Sequence, residues 1–189
     1  MGRHSQRLES ACVFCGSSDE ADPAFLSAAR GVGKALADAG IRLVYGGGGV
    51  GLMGETARSA HDAGGRVLGI MPDFLRAKER LLDEVETIVV ETMHERKAMM
   101  YDASDAFVVA PGGIGTLEEA VEVMSWQRLS LHDKPTYFLN IDGFWDNLIA
   151  LLRHNVEVGM TPAWFVDSIV VVPDVPSLMD ALRDRFEPA

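Results

Sequence analysis

A glycine-rich segment, residues 111–119, has the composition and spacing of an anion-binding loop. Its sequence is P-G-G-I-G-T-L-E-E, with glycine at three of four consecutive positions. An apolar run over residues 105–110 precedes it, and helical spacing of apolar residues follows over 117–128, so the segment joins a strand to a helix. Glycine lets the backbone approach a bound group closely, and the free N–H groups of a first helical turn carry partial positive charge. The segment is therefore predicted to bind a phosphate.

Thr116 and Glu119 give the same segment a second interpretation. A threonine followed three residues later by a glutamate is the capping-box pattern, in which the two side chains satisfy the backbone at the helix start. Strand-glycine-helix junctions that bind nothing are common in α/β proteins. Taken alone, this segment leaves phosphate binding and helix capping open.

A second glycine-rich segment, residues 46–54, contains the dinucleotide fingerprint G-x-G-x-x-G at Gly49, Gly51 and Gly54. The fingerprint follows the second predicted strand rather than the first, and the next strand lacks an acidic residue at its end apart from Asp73. An NAD site is therefore disfavoured. Tight helix–strand packing remains open, and close backbone approach to another phosphate ligand is the favoured interpretation.

The elements that must position these loops alternate between strand and helix along the whole chain. Strands are predicted at residues 11–14, 41–45, 66–71, 84–91, 105–110, 135–139 and 169–172. Helices are predicted at residues 24–39, 55–63, 93–103, 117–128, 144–158 and 177–186. This order predicts an α/β fold with a doubly wound, mostly parallel sheet between two helical layers, a three-layer αβα arrangement. Residues 1–189 are expected to form one domain, with a flexible N-terminus over residues 1–9.

Open α/β sheets bind ligands at the carboxyl ends of their strands, and several charged residues follow those ends. Arg96 and Lys97 lie in the helix that follows the fourth strand, and topology alone places them near the glycine loops. A charged connection over residues 72–83 separates the third and fourth strands and could act as a mobile flap.

Composition and charge exclude several classes of partner. The formal net charge is −11, from 28 acidic and 17 basic residues, and no cluster of Lys and Arg marks a nucleic-acid site. No apolar run is long enough to span a bilayer and no secretory signal begins the chain, so a cytoplasmic protein without membrane contact is expected. Cys12 and Cys15 form a C-x-x-C pair, but residues three apart in a strand point to opposite faces. They are predicted to be packed thiols, and no metal site is expected.

Five motifs together resemble the LONELY GUY family: F-C-G-S-S at 14–18, Y-G-G-G-G-V-G-L-M-G at 45–54, M-H-E-R-K at 93–97, the 111–119 segment, and H-D-K-P at 132–135. The resemblance implies a Rossmann-like fold and a phosphoribohydrolase that needs no cofactor. It also implies a homodimer with the site near the subunit interface. Some family members carry the label lysine decarboxylase, but nothing in this sequence resembles the Schiff-base lysine of a pyridoxal phosphate enzyme.

Matched position by position, the resemblance assigns Arg96 and Glu119 as the catalytic pair. It assigns nucleotide binding to Lys97, Gly112, Gly113, Ile114, Gly115, Thr116, Leu117 and Glu118. Ser125 stands where relatives often have threonine, and Glu79 matches a substrate-binding glutamate. The polar turn after the first strand and the second glycine loop add Gly16, Ser17, Gly47 and Gly48 as candidate substrate contacts.

The implied reaction is hydrolysis of the N-glycosidic bond in an adenine-type nucleoside 5′-monophosphate, which frees the base and ribose 5-phosphate. Cleavage builds positive charge on the ribose, and the Glu119 carboxylate could stabilise that charge and orient water. Arg96 could hold the phosphate or assist departure of the base through charge-assisted hydrogen bonds, but an arginine is a poor proton donor at neutral pH.

Two other functions are weighed against the hydrolase. A nucleotide-binding carrier or sensor would use the same phosphate loop without turnover, but binding alone needs no carboxylate beside an anionic ligand. An NAD-dependent oxidoreductase is disfavoured by the position of the glycine fingerprint. The sequence does not choose between AMP and an N6-prenylated AMP as substrate.

Overall fold

A single sheet of seven parallel strands forms the centre of the protein in a computed structural model that describes residues 7–186. The strands are β1 (Ser10–Phe14), β2 (Arg42–Tyr45), β3 (Val67–Pro72), β4 (Glu86–Val90), β5 (Ala106–Val109), β6 (Thr136–Leu139) and β7 (Val170–Val172). Their order across the sheet is β4-β3-β2-β1-β5-β6-β7. The predicted α/β fold is confirmed, and all seven strands are parallel.

The described residues form eight α-helices, and seven of them cover the two faces of the sheet. The eight are α1 (Pro23–Asp38), α2 (Gly51–Asp62), α3 (Arg76–Glu79), α4 (Met93–Asp102), α5 (Ile114–Arg128), α6 (Asp146–Glu157), α7 (Ala163–Asp167) and α8 (Val175–Phe186) within residues 7–186. Helices α1, α2 and α8 pack on one face and α4, α5, α6 and α7 on the other. The three-layer αβα arrangement is thus confirmed. Within residues 7–186, no helix is long and apolar enough to cross a bilayer.

Successive residues of a strand point to opposite faces of the sheet, so each strand contributes to both hydrophobic cores. In β1, Ala11 and Val13 enter the core under α1 and α2, whereas Cys12 and Phe14 enter the opposite one. Cys15, just beyond the strand, packs on the α1 side, so the two thiols lie on opposite faces as predicted. Burial raises the pKa of the Cys15 thiol to about 12, which keeps it protonated.

The chain reverses direction across the sheet at β1, and this reversal creates the site. Strands β2, β3 and β4 extend to one side of β1, and β5 then returns to its other side. The loops after β1 and β5 therefore meet at the carboxyl edge, the usual ligand position in open α/β sheets. The Gly16 N–H donates to the Pro111 carbonyl at 3.0 Å, which ties the two loops together.

Two helix starts and two short helices differ from the sequence prediction. Helix α2 begins at Gly51 rather than at residue 55, and α5 begins at Ile114 rather than at residue 117. Glycine disfavours helix formation by propensity, but tertiary contacts fix both starts. The 72–83 connection is partly helical, with a 3-10 turn followed by α3, and α7 was not predicted.

The N-terminal prediction falls largely outside the described residues, because the description begins at residue 7. Within it, the Glu9 and Ser10 N–H groups both donate to Asp105 Oδ2 at 2.9 Å. The Ser10 hydroxyl donates to the same oxygen at 3.1 Å, so the start of β1 is tied to the residue before β5.

Candidate active site

A cavity of about 500 Å³ opens at the carboxyl edge of the sheet, where the β1 and β5 loops meet. Eleven of the predicted site residues line it: Gly16, Ser17, Glu79, Arg96, Gly112, Gly113, Ile114, Gly115, Thr116, Glu118 and Glu119. They come from loops after four different strands and are brought together only by the fold. The volume lies in the range of small-molecule sites.

The start of α5 presents unpaired backbone N–H groups to the cavity. Gly113 is the N-cap residue and has no side chain to cap the helix. The backbone N–H groups of residues 112–116 find no acceptor among residues 7–186. Because these unpaired donors line the cavity at a helix N-terminus, an anion there would satisfy them and gain from the helix dipole.

The capping-box interpretation of Thr116 and Glu119 is wrong. The helix begins three residues earlier than the pattern implied, so Thr116 lies inside the first turn and is not the N-cap residue. A capping box does form at the start of α4, where Thr92 and Glu95 satisfy each other's backbone N–H groups. Glu119 is consequently free of any capping role and lines the cavity.

Gly112 must be glycine for the loop to close. A Cβ atom there would overlap the Thr116 side chain and lie 2.9 Å from the Gly16 nitrogen. The neighbouring Gly113, in contrast, has open space where a Cβ atom would stand.

Arg96 lies between two carboxylates at the inner end of the cavity. Only 5% of the residue is exposed, and its Nη2 donates to the Gly46 carbonyl at 3.2 Å. Nη1 lies 3.9 Å from Glu119 Oε1, and Nη2 lies 3.9 Å from Glu79 Oε2. These separations are ion pairs without direct hydrogen bonds, and Nε has no partner among the described residues. The guanidinium therefore retains donors for a ligand.

Both carboxylates beside Arg96 are hard to ionise. Burial raises the pKa of Glu119 to about 7, the Arg96 charge partly offsets this, and the charges of Glu118 and Glu79 add to it. Burial also raises the pKa of Glu79, again against the attraction of Arg96. A carboxylate that titrates near neutral pH is suited to exchange protons with water or substrate.

The second glycine loop holds Glu79 in place. The Gly49 N–H donates to the Glu79 carbonyl at 2.9 Å and to the Arg80 carbonyl at 2.6 Å. Gly48 pairs with Leu81 in an isolated antiparallel bridge. The 72–83 connection is thus fastened to the glycine loop by backbone contacts, and its Glu79 side chain reaches the cavity.

The N-terminus of α2, unlike that of α5, is mostly satisfied by acceptors within the chain. Asp19 Oδ1 accepts a hydrogen bond from the Gly51 N–H at 2.8 Å. A Cβ atom at Gly51 would lie 2.5 Å from the Ser17 carbonyl carbon, so its glycine serves close packing of the chain on itself. The structure supports the packing interpretation of G-x-G-x-x-G and leaves no open helix start there for a dinucleotide pyrophosphate.

Five predicted site residues lie outside the cavity. Lys97 Nζ contacts Glu118 at 2.6 Å and Glu122 at 2.9 Å, joining α4 to α5. Burial alone would lower the pKa of Lys97, but the hydrogen bonds to these carboxylates raise it. Leu117 packs against the core, and Ser125 is exposed on α5. Gly47 packs against Ile70 and Met71 of β3, and Gly48 packs against Met53 and Glu79.

Sequence reasoning missed the apolar residues of the cavity. Met53 and Met93 line it, and so do Phe25 and Phe144, whose rings form an edge-to-face pair with centroids 5.3 Å apart. The methionines lie within the motifs quoted above, but nothing in the spacing of Phe25 distinguishes it from a core position of α1. Within residues 7–186, no three His, Cys, Asp or Glu side chains are grouped to hold a metal ion.

Several known proteins resemble this chain. Residues 53–182 match a protein family described as possible lysine decarboxylase. The chain is 45% identical over 184 residues to the Oryza sativa subsp. japonica protein named probable cytokinin riboside 5′-monophosphate phosphoribohydrolase LOGL9, covering 97% of this chain and 81% of that protein. It is 41% identical over 185 residues to the Arabidopsis thaliana cytokinin riboside 5′-monophosphate phosphoribohydrolase LOG2, covering 97% of this chain and 87% of that protein.

Solved structures share the fold at lower identity. The molybdenum cofactor binding protein from Rippkaea orientalis has a TM-score of 0.72 at 24% identity, covering 94% of this chain and 97% of that one. The Moco carrier protein from Chlamydomonas reinhardtii has a TM-score of 0.73 at 22% identity, covering 97% of this chain and all of that one. These likenesses establish the Rossmann-like fold, and the identity to the plant proteins over nearly the whole length establishes more: this chain belongs to the LONELY GUY family of cytokinin riboside 5′-monophosphate phosphoribohydrolases.

Proposed function

We propose that this protein hydrolyses the N-glycosidic bond of adenine-type nucleoside 5′-monophosphates and releases the free base and ribose 5-phosphate. One observation carries the proposal: unpaired backbone N–H groups at the start of α5 lie next to a buried carboxylate–guanidinium cluster in the same cavity. The printed names of the plant relatives support the same reaction.

The 5′-phosphate binds the unpaired N–H groups of residues 112–116. Gly16 and Ser17 border the same cavity, and the Thr116 hydroxyl lies against Gly112 without a hydrogen-bond partner among residues 7–186. Backbone donors and a helix dipole hold a phosphate without a cluster of cations, which suits a chain of net charge −11.

The ribose then lies beside Glu119. This residue follows Thr116 by about one helical turn, roughly 5 Å along the α5 axis, so its carboxylate stands deeper in the cavity than the phosphate. As the C1′–N9 bond breaks, its electron pair leaves with the base and positive charge develops on the sugar. Glu119 stabilises that charge, orients a water molecule and takes its proton as the water oxygen bonds to C1′.

Arg96 lies on the side of the ribose from which the base departs. Its Nη1 faces Glu119, and it donates a charge-assisted hydrogen bond to the base as electron density builds there. The base takes up a proton to complete the reaction, and solvent or a neutral carboxyl group supplies it, because a guanidinium does not release its own.

Decarboxylation of lysine does not fit the cavity. A pyridoxal phosphate enzyme needs a lysine to form the Schiff base, and no lysine lines the cavity within the described range 7–186. Lys97 is nearby, but its ammonium group is held between two α5 carboxylates.

Release of free base measured by chromatography tests the proposal. AMP and isopentenyladenosine 5′-monophosphate are the substrates, and the matching nucleosides without phosphate are the controls. We expect the wild type to cleave the monophosphates and to spare the nucleosides, and Glu119→Gln and Arg96→Met each to lose about 10²- to 10³-fold in rate. Glu86→Gln, at an exposed position on β4, should retain full activity. If the nucleotides raise the melting temperature but yield no base, the protein is a carrier or sensor.

Assembly as a homodimer completes the proposal. A stripe along α5 is exposed, with Ile114 82% accessible and Val121, Ser125 and Leu129 following on the same helical face. We propose that a second copy covers this stripe and closes the cavity mouth, where Ile114 stands. Light scattering should report a dimer for the wild type, and Val121→Glu should disrupt it. Leu151→Glu, at an exposed position on α6, is the matched control.

The site also bears on where the protein works. We propose a cytoplasmic location, because the proposed substrate, a nucleoside monophosphate, is a small anionic metabolite. Fractionation of cells that express the chain would test it.

A further inference from the structure

The relative placement of Arg96 and Glu119 depends on the helices that carry them. Arg96 Nη1 and Glu119 Oε1 lie 3.9 Å apart, which is too far for a direct hydrogen bond to fix the pair. Arg96 belongs to α4 and Glu119 to α5, and both helices pack on the same face of the sheet. The contacts that hold these two helices therefore set the geometry of the pair.

Helix α4 has little apolar burial to hold it in place. It is ten residues long, and its only buried residues are Arg96 and Met100. Met99 and Tyr101 are partly buried against the core. Because helices in proteins are stabilised mainly by packing of an apolar face, a helix with so few buried side chains depends more on contacts at its ends.

Tyr101 holds the carboxyl-terminal end of α4. Its ring stacks on Phe107 of β5 with centroids 5.8 Å apart and meets Trp126 of α5 edge-on at 5.2 Å. Lys134 Nζ lies 3.9 Å from the centroid of the same ring and donates a hydrogen bond to the Tyr101 carbonyl at 2.8 Å. A cation in this position satisfies a carbonyl at the helix end and gains from the helix dipole and from the aromatic face. Lys134 thereby ties α4 to the turn over residues 132–135.

His132, in the same turn, holds α5. Its Nδ1 accepts a hydrogen bond from the Lys134 N–H at 3.1 Å, and its Nε2 lies 2.9 Å from the Val123 carbonyl oxygen. A ring that accepts at Nδ1 carries its proton on Nε2, so Nε2 donates to Val123. Burial lowers the pKa of His132, which favours this neutral form. Val123 follows Glu119 by about one helical turn, so the contact lies close to the carboxylate.

We propose that Lys134 and His132 are positioning residues, which tie α4 and α5 to one turn and thereby hold Arg96 and Glu119 in register with each other. This inference rests on the proposed function. It gives the H-D-K-P motif at 132–135 a role, although neither Lys134 nor His132 lines the cavity.

Lys134→Met tests the proposal, because it removes the ammonium group and keeps most of the side-chain length. We expect kcat for a nucleoside monophosphate to fall about tenfold while KM changes less than about twofold, since the loop over residues 112–116 is untouched. Lys134→Arg should recover kcat to within about threefold of the wild type, because a guanidinium can also donate to the Tyr101 carbonyl and lie on its ring. Lys34→Met, an exposed substitution on α1, should match the wild type.

The pKa of Glu119 reports the position of Arg96 without turnover. Burial raises this pKa and the Arg96 charge lowers it, while Glu118 and Glu79 raise it and Lys97 lowers it. If Arg96 moves away from Glu119, the pKa of Glu119 rises. A carboxyl 13C NMR titration of glutamate-labelled protein measures it, and the Glu119→Gln variant identifies the signal.

Lys134→Met and His132→Phe should both raise the pKa of Glu119 above its wild-type value, and Lys134→Arg should leave it unchanged. His132→Phe keeps an aromatic ring and loses both hydrogen bonds. An unchanged pKa in both variants would overturn the proposal, because the turn would then support the fold alone.

Met179→Ala controls for a general loss of stability, since it removes buried side-chain volume from the core on the opposite face of the sheet. All variants are assayed well below their melting temperatures. A fall in kcat for Met179→Ala as large as that for Lys134→Met would also overturn the proposal. If the wild type releases no base from any nucleotide, the hydrolase proposal fails, and the titration of Glu119 still decides whether the turn positions Arg96.

Discussion

Replacing Glu119 with glutamine should inactivate the protein and stabilise it. Burial raises the pKa of this carboxyl to about 7 in the folded protein, against an ordinary value of 4.5. Between these two values the folded protein binds a proton that the unfolded chain releases. The stability associated with the neutral carboxyl is therefore complete below pH 4.5 and is lost as pH rises through 7. Glutamine has the same shape and never ionises, so the variant avoids this loss.

The magnitude follows from the two pKa values. The folded value of about 7 already includes the attraction of Arg96, and the side chain is only 11% exposed, so solvent screening is modest. At about 1.4 kcal/mol per pH unit, the charged carboxylate destabilises the fold by about 3 kcal/mol above pH 7. For a chain of this size, about 3 kcal/mol corresponds to a rise of roughly 6–12 °C in melting temperature.

Thermal unfolding of wild type and Glu119→Gln from pH 5 to pH 8 measures the effect. The two melting temperatures should nearly coincide at pH 5 and diverge progressively, with the variant higher at pH 8, while base release by the variant falls at least about 10²-fold. Glu86→Gln, an exposed substitution on β4, should follow the wild type at every pH. A Glu119→Gln variant that is no more stable than the wild type at pH 8 would refute the view of Glu119 as a strained, buried carboxylate.

Further measurements address other parts of the site. Since Glu119 must be ionised to act on water, kcat/KM of the wild type should fall about tenfold from pH 8 to pH 6, and a flat profile would contradict its assignment. Gly112→Ala should raise KM for a monophosphate about 10²-fold, because its Cβ would overlap Thr116, whereas Gly113→Ala meets open space and should bind normally. Lys97→Met removes the cation held between two α5 carboxylates and should lower the melting temperature by about 2–4 °C; no change would mean that this bridge contributes nothing to stability.

The sheet and its loops could be predicted from sequence because both depend on local patterns. Short runs rich in apolar residues marked all seven strands, and their alternation with segments of helical periodicity implied the parallel arrangement. The glycine-rich loop between β5 and α5 was likewise visible in residues 111–119. Its function was ambiguous, because Thr116 and Glu119 also have the spacing of a capping box.

The errors arose where distant residues decide local structure. Helix α2 begins four residues earlier than the sequence predicts, because two glycines disfavour a helix by propensity. Asp19, in the loop after β1, accepts a hydrogen bond from the first N–H of this helix. Phe25 and Phe144 meet across the cavity from α1 and the loop after β6, and no spacing along the chain records that contact. The role of Gly49 in holding Glu79 is also a contact between separate loops.

The Asp19 carboxylate can be regarded as an internal substitute for a phosphate. It binds the first N–H group of α2, whereas the N–H groups at the start of α5 have no acceptor within residues 7–186. With Asp19 in place, only the start of α5 among these two helices presents a run of unpaired N–H groups to the cavity. Conversely, an engineer seeking a diphosphate binder on this scaffold would begin by removing the charge at Asp19.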